Sequence, residues 1–287
     1  MKIQAPVATV VIPLFNGLPY LVQLLDSLAV QDDTVPFEVI LVDNGSTDGS
    51  RAVATTYSER LNLCTIECRR GQGQAFARND GAAVAKSELI LFVDQDDVLA
   101  SSYVAEMVLA LETAGIVAAR VDTALLNPGW RVRRLAQEDG LAGGPLPWGY
   151  GGTLGFRKAV FEQVQGFDES MKWAAEDEDL CWRAQMSGVV LKFAPDALLY
   201  YRFPKTNRAL RRQGFRYGFA QTRLEHKHRD LAGSTPGILK LLPRGGVETV
   251  RSIFNRDPMA KARAQFQLFR RLGLITGKIT HFAKPRK

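Results

Sequence analysis

Histidine and cysteine are nearly missing from this 287-residue chain, with three of each, and the first histidine is His226. Cys64 and Cys68 are spaced like half of a metal site. No histidine precedes His226 to complete it, so packing cysteines are the expected reading over a zinc centre. Three cysteines, Cys64, Cys68 and Cys181, with no secretory leader, point to reduced thiols used in packing. Long apolar runs are missing too: no stretch approaches the roughly 20 residues needed to cross a bilayer. Met1-Lys2-Ile3-Gln4-Ala5-Pro6 leads straight into a strand-like segment, so the expected location is cytoplasmic. Internal repeats and low-complexity tracts are absent. With 46% hydrophobic and 23% charged residues, the composition excludes a disordered chain.

Acidic residues are scarce only at one end. Residues 201–287 carry 21 Lys and Arg against 4 Asp and Glu, leaving 16 against 26 for residues 1–200. A balance of −10 is followed by one of +17, which predicts two regions with two tasks: residues 1–205 and a basic extension over 206–287. The basic region does not bring a nucleic-acid motif with it, and the larger part of the chain is acidic. Nucleic acid is therefore not the expected partner.

The first region alternates short apolar runs with helical periods. Val7 to Ile12 is a β-branched run ended by Pro13, and Leu18, Leu21, Leu24, Leu25 and Leu28 repeat at helical spacing. Phe37 to Val42 predicts a second strand, which stops in the turn sequence Asp43-Asn44-Gly45-Ser46. A helix from about Asp48, a strand over Leu61 to Glu67, an alanine-rich helix over Gln74 to Lys86 and a strand over Leu89 to Val93 follow. Residues 118 to 147 predict loop with one or two strands. Gly151 to Phe161, a helix from Glu176 to Ser187 closed by Gly188, and a strand over Val189 to Phe193 complete the region. Strand–helix alternation predicts an α/β fold, with a mostly parallel mixed sheet flanked by helices. Ligands of such sheets bind outside the carboxyl ends of the strands. Pro13-Leu14-Phe15-Asn16, Asp43-Asn44 and Asp94-Gln95-Asp96-Asp97 all fall there, so three strand ends converge on one crevice.

Two acidic groups stand out. In an extended segment Asp94 and Asp96 project to one side, where both face a hard cation while Asp97 points away. Mg²⁺ or Mn²⁺ takes one or two carboxylates and fills its remaining positions with water and phosphate oxygens, so a sparse acidic pair suits a metal–diphosphate. The plain alternative is a solvated turn capping the helix near Ser101. Glu176-Asp177-Glu178-Asp179 opens a helix, where acids are favoured by the dipole alone. The chemical alternative is a general base, its pKa raised by burial and by neighbouring carboxylates. Arg78 is either a donor contact or a solvated helix charge. Phe15 and Trp173 are each a stacking platform or a core aromatic.

Taken together, Val10-Val11-Ile12-Pro13-Leu14-Phe15-Asn16, Val42-Asp43-Asn44-Gly45-Ser46-Thr47-Asp48, Gly73 through Gly81 with Ala77-Arg78-Asn79, Leu91-Phe92-Val93-Asp94-Gln95-Asp96-Asp97, Gly166-Phe167-Asp168-Glu169 and Glu176-Asp177-Glu178-Asp179-Leu180 resemble the family 2 glycosyltransferases. The resemblance covers about residues 7–200 in order and approximate spacing. It implies a GT-A fold and a metal-dependent, inverting transfer of a sugar from a nucleoside-diphosphate donor to a hydroxyl acceptor. A UDP- or dTDP-linked donor and a glycan or lipid-linked acceptor of the cell envelope are the favoured partners. By the same resemblance Pro13, Phe15, Asp43, Arg78 and Asp94 hold the donor, with Phe15 and Asp43 on the nucleobase. Asp96, with Asp94, holds Mn²⁺ or Mg²⁺, and Asp177 is the base. Gly151, Gly152, Trp173 and Glu176 lie on the acceptor side. Two departures are visible. Leu199-Tyr200-Tyr201-Arg202 lacks the histidine that many relatives carry there, leaving Arg202 or Lys205 to supply positive charge, and Asn44 stands where an aspartate is common. A catalytically inactive sugar-nucleotide-binding protein of the same fold is the main alternative.

The extension mixes arginines with Leu210, Phe215, Tyr217, Phe219, Ile238-Leu239, Leu241-Leu242, Phe266, Leu268 and Phe269. Gln213-Gly214-Phe215-Arg216-Tyr217 partly resembles the Gln-x-x-Arg-Trp motif of processive relatives, but with tyrosine in place of tryptophan it does not imply processivity. The region predicts amphipathic helices. These either pack with solvated outer faces or meet an anionic membrane surface peripherally, at the inner face of the cell membrane.

Overall fold

The structure, a computed structural model, describes residues 5–232 and 246–282 apart from 19, 33, 128, 130–134, 172, 248, 252 and 253. The chain divides into two compact units. One comprises Met1–Leu126, Arg134–Lys172 and Glu176–Arg202; the other comprises Asn127–Arg133, Trp173–Ala175 and Phe203–Lys287.

The first unit is built on one eight-stranded sheet. Its strands are β1 (Ala8–Leu14), β2 (Phe37–Asp43), β3 (Leu63–Glu67), β4 (Leu89–Phe92), β5 (Val98–Leu99), β6 (Ile116–Asp122), β7 (Leu154–Arg157) and β8 (Leu191–Tyr200). They lie in the order β3-β2-β1-β4-β7-β6-β8-β5. The β3-β2-β1-β4 half is parallel, β7 runs antiparallel to both its neighbours, and β6 and β8 pair in parallel. Every residue of β1 is buried, because helices cover both faces of the sheet. On one face Leu21, Leu24, Leu25 and Leu28 of α1 (Tyr20–Leu28) pack with Tyr103, Val104, Met107 and Leu111 of α4 (Tyr103–Leu111). On the other, Ala75, Ala77 and Ala82 of α3 (Gln74–Val84) pack with Leu180 and Ala184 of α6 (Glu176–Met186). Four rings, Phe92, Phe156, Phe161 and Phe167, interlock on this second face at centroid distances of 5.1 to 6.2 Å. Between β2 and β3 lies α2 (Ser50–Thr55), and after β7 comes α5 (Lys158–Gln163).

Some elements differ from the sequence expectation for identifiable reasons. Pro13 lies inside β1, opposite Val42, and does not end the strand. On the β4 side the pairing stops at Val11, so the N–H that proline lacks has no strand to serve there. The last strand runs on to Tyr200 through Pro195, because a bulge between Ala119 and Arg120 moves the register past Pro195 to Leu198. The two-residue β5 has no periodicity to read and exists through its pairing with Leu199 and Tyr200.

In the second unit α7 (Asn207–Lys227) packs against the helix Pro258–Phe282. Thr206 Oγ1 caps α7 by accepting from Ala209 N, and Asp257 accepts from Met259 N and Ala260 N at the start of the other helix. The backbones approach closely through glycines on both sides. A Cβ on Gly218 would collide with the carbonyl of Arg270, and one on Gly273 with the carbonyl of Phe215. Of the predicted apolar residues, Leu210 and Phe266 are buried, while Ile238-Leu239 and Leu241-Leu242 lie outside the described residues. Among the described residues no helix is long and apolar enough to cross a membrane.

Candidate active site

The carboxyl ends of β1, β2 and β4 are laced together by side-chain hydrogen bonds. Asn16, in the left-handed region at φ 49°, donates its N–H to Ser46 Oγ at 3.0 Å, and its Oδ1 accepts from Thr47 N at 2.8 Å. Leu18 N donates to Asp48 Oδ2 and Gly17 N to Ser50 Oγ, both at 2.9 Å. These bonds fix the loop after β1 against the loop after β2. Asp43, buried at the end of β2, holds its own turn by accepting from Ser46 N at 2.9 Å. Phe15 presents its side chain to solvent at 54% exposure, which removes the core-aromatic alternative.

Behind these loops Arg78 lies on α3, 1% exposed. Its guanidinium donates to Asp94 at 2.7 Å and to Glu176 at 3.1 Å, and sits 5.2 Å from the centre of the Phe167 ring. A buried arginine is tolerable because two carboxylates neutralise it. The solvated-charge alternative is thereby excluded. Its Nε has no hydrogen-bond partner among the described residues. The turn Gly151–Thr153 closes over this group. A Cβ on Gly151 would lie 2.9 Å from Arg78 Nη1, and one on Gly152 2.7 Å from the carboxyl carbon of Asp94, so glycine is required at both for the backbone to approach the charges.

Asp177 completes the cluster at the start of α6. Its Oδ2 accepts from Gly151 N and its Oδ1 from Glu178 N, both at 2.9 Å. Burial raises its pKa, while those two N–H groups and the charge of Arg78 act the other way. Glu176 is pushed up to about 7, by burial first and by Asp177 second, against the pull of Arg78. Arg78, Asp94, Gly151, Gly152, Glu176 and Asp177 thus form one contiguous polar group from four segments of the first unit.

The segment Asp94–Asp97 is a turn, closed by Asp97 N donating to Asp94 O at 3.3 Å, and is not extended as the sequence reading had it. A single-turn geometry brings three carboxylates near one another without any strand alternation. Asp96 is held up at about 6, first by burial and then by the charge of Asp94. Asp97 is buried, pushed well above the usual carboxylate range by burial and by Asp96 and Asp94, and accepts from Arg202 N at 3.0 Å. Arg202, whose segment replaces the expected histidine, braces this turn from the end of β8. Its Nε donates to Asp96 O at 2.8 Å, its Nη2 to Gln23 Oε1 at 2.6 Å, and it lies 4.6 Å from the centre of the Tyr20 ring. Among the described residues no group of three or more His, Cys, Asp or Glu has metal-holding geometry. The donor set offered by Asp94 and Asp96 is two hard oxygen ligands, and it fits a divalent cation that takes its other ligands from phosphate and water.

Trp173 and Lys205 belong to the second unit, where the Trp173 ring lies 5.0 Å from that of Phe219. Two contributors escaped the sequence reading. Gln95 bonds both backbone groups of Phe15, donating Nε2 to Phe15 O at 3.0 Å and accepting from Phe15 N at 2.7 Å. Asn79 fastens α3 to the loop before α6, bonding Phe167 N, Phe167 O and Glu169. The only signal for Gln95 was its place between two acids; the signal for Asn79 was its place after Arg78.

Residues 9–165 match the model of glycosyl transferase family 2, and residues 89–244 that of glycosyl transferase family group 2. The chain is 39% identical over 92 residues to the poly(ribitol-phosphate) beta-N-acetylglucosaminyltransferase TarS of Staphylococcus aureus strain Mu50, a stretch that is 31% of this chain and 16% of TarS. It is 30% identical over 223 residues to the validoxylamine A glucosyltransferase of Streptomyces hygroscopicus subsp. jinggangensis, covering 64% of this chain and 52% of the relative. The chain therefore spans about half, or much less, of the length of these relatives. Among solved structures, the mannosyltransferase PcManGT of Pyrobaculum calidifontis in complex with GDP-Man and Mn²⁺ aligns with a TM-score of 0.62 at 24% identity, over 99% of this chain and 77% of that one. TarS 1–349 in complex with UDP-GlcNAc aligns at 0.58 and 17%, over 96% and 92%. At these identities the likeness establishes the fold, which is GT-A.

Proposed function

We propose, because the chain belongs to glycosyl transferase family 2, that it transfers a sugar from a nucleoside-diphosphate donor to a hydroxyl group of a cell-envelope glycan or lipid-linked acceptor, with inversion at the anomeric carbon. The observation that carries this reading is the Arg78–Asp94–Glu176–Asp177 group beneath Gly151 and Gly152. Asp177 is the base: it takes the proton of the acceptor hydroxyl as that oxygen bonds to the anomeric carbon and the bond to the diphosphate breaks. Burial raises the proton affinity of this carboxylate toward the working pH, while the N–H groups of Gly151 and Glu178 keep it oriented. Asp43 and Phe15 hold the nucleobase, and Pro13 shapes the strand end between them. Arg78 and Asp94 fix the ribose side. Asp96, with Asp94, holds Mn²⁺ or Mg²⁺, which when bound neutralises charge on the departing diphosphate. A UDP- or dTDP-linked donor is favoured, and the UDP-GlcNAc complex of TarS supports the former.

Thermal stability with UDP, GDP, dTDP and CMP, each with and without Mn²⁺, tests the donor site. A diphosphate at 100 times its dissociation constant adds about 2.7 kcal/mol. The reading requires one diphosphate to stabilise the protein only with metal, and Asp96→Ala to abolish that shift. No shift with any nucleotide would leave an inactive relative of the same fold as the better account.

The second unit supports a membrane-surface role for the same enzyme. Its two long helices carry eleven Lys and Arg and one acid, Glu225. Leu272 and Ile279 are exposed among these charges. Each basic residue near an anionic bilayer adds about 1 kcal/mol. Sedimentation with phosphatidylglycerol vesicles but not with phosphatidylcholine vesicles is the expected outcome; equal behaviour with both rules the contact out.

A further inference from the structure

We infer that Gln95 is a positioning residue that ties the base-stacking residue Phe15 to the acidic turn Asp94–Asp97, so that the nucleoside end of the donor is held only while this amide is in place; the inference rests on the donor reading above. Phe15 is the most exposed group in its loop that the donor reading uses, and its ring has no core to hold it. What holds it is its backbone. Both hydrogen-bonding groups of that residue, N–H and C=O, are taken by one side chain, the Gln95 amide, at 2.7 and 3.0 Å.

The chemistry of the pair restricts what residue 95 can be. A neutral amide supplies one acceptor and two donors, so it satisfies both groups at once, which carboxylate, ammonium and aliphatic side chains do not. Asparagine has the groups but is one methylene shorter. The loop is shaped to receive this amide: a Cβ on Gly17 would lie 3.1 Å from Gln95 Oε1 and 2.9 Å from Leu14 Cδ1. Residue 95 is also flanked on both sides by the acids assigned to the donor and metal. A shift of the turn is therefore transmitted to Phe15 through two parallel bonds rather than through 80 residues of chain.

The test is calorimetric binding of three probes in the presence of Mg²⁺: UDP, GDP and inorganic pyrophosphate, which has no base. Wild type is compared with Gln95→Leu, which loses both bonds at similar size, and Gln95→Glu, which keeps only the acceptor. For the nucleotide that wild type prefers, Gln95→Leu weakens affinity about tenfold and Gln95→Glu by less, while pyrophosphate affinity stays within about twofold. Donor KM rises in step with kcat unchanged, and Phe15→Ala costs little further affinity in the Gln95→Leu background. Gly17→Ala, which displaces the amide without touching residue 95, gives the same pattern more weakly. Equal losses for nucleotide and pyrophosphate would show that Gln95 only supports the turn, and an unchanged nucleotide affinity would show no tie; either overturns the inference. If wild type binds pyrophosphate but neither UDP nor GDP, the donor reading itself fails and takes this inference with it.

Discussion

The two units differ in which charges they bury. In the first, Arg78, Asp97, Glu176 and Asp179 are all inside, each answered by a partner of the opposite sign or by backbone N–H. In the second, the two long helices leave most of their basic residues at least partly open to solvent and meet through bare glycine backbone at Gly214, Gly218, Gly273 and Gly277. Burying paired charge is a weak way to gain stability, since desolvation consumes most of the attraction. Glycine contacts are the reverse, a purely steric fit with no chemistry in it. The first arrangement makes sense where a site has to hold reactive carboxylates, and the second where two helices only have to stay together.

That contrast is breakable in four places. The largest expected effect is on turnover: Asp177→Asn lowers kcat about 10³-fold, within the usual span for losing a general base, with nucleotide affinity and melting temperature near wild type. Steady-state kinetics beside a binding isotherm checks it, and near-normal turnover removes Asp177 from the mechanism. Next is Arg78→Leu, which leaves Asp94 and Glu176 without their cation and costs about 3–5 kcal/mol of stability. Its pH dependence has a definite sign. Glu176 binds its proton more tightly in the folded state (about 7) than its ordinary 4.5, so its contribution is fully present below about 4.5 and is lost as pH rises to about 7. Without Arg78 that loss steepens, and unfolding curves at pH 5 and pH 8 diverge more for the variant than for wild type.

Gly218→Ala comes third. Its methyl group has to displace the Arg270 carbonyl, and overpacking of this kind costs about 1–3 kcal/mol. Limited proteolysis should find the second unit loosened while UDP affinity is unchanged; a matching loss of UDP affinity would show the units to be one cooperative body. The smallest effect is on the acid limb of the rate profile. Glu176→Gln removes a negative neighbour of Asp177, so the limb moves to lower pH. Movement to higher pH would mean that the loss of the Arg78 contact outweighs the loss of repulsion.

The sequence was legible where one residue pattern determines one outcome. β1, β2, β4, α1 and α3 are buried runs or amphipathic periods, and their polar ends lie at the strand ends that a parallel sheet exposes. The site was half legible for a related reason. Asp94, Asp96 and Arg78 stand out as charges beside apolar runs, and Asp177 is one of four consecutive acids that only the family resemblance tells apart, whereas Gln95 looks like a spacer because its two partners are main-chain atoms 80 residues away. Trp173 is the converse case. It stands three residues before Glu176 in the chain, yet it belongs with Phe219 to the second unit, a pairing that no local pattern encodes. The turn Asp94–Asp97 differs from the extended segment that its pattern predicts, because alternation and a tight turn both set residues two apart near each other.

One feature of the sheet has a bearing on how the protein behaves when crowded. The outermost strands are β3 and β5, and an outer strand with free main-chain groups invites another chain to pair with it and seed aggregates. β5 offers only two residues, too short a template for a foreign strand. β3 is longer, but it ends at Glu67, whose carboxylate is engaged by Arg51, so an incoming apolar segment would have to lie against an ion pair. One border strand is therefore too brief to serve as a template, and the other closes on an ion pair.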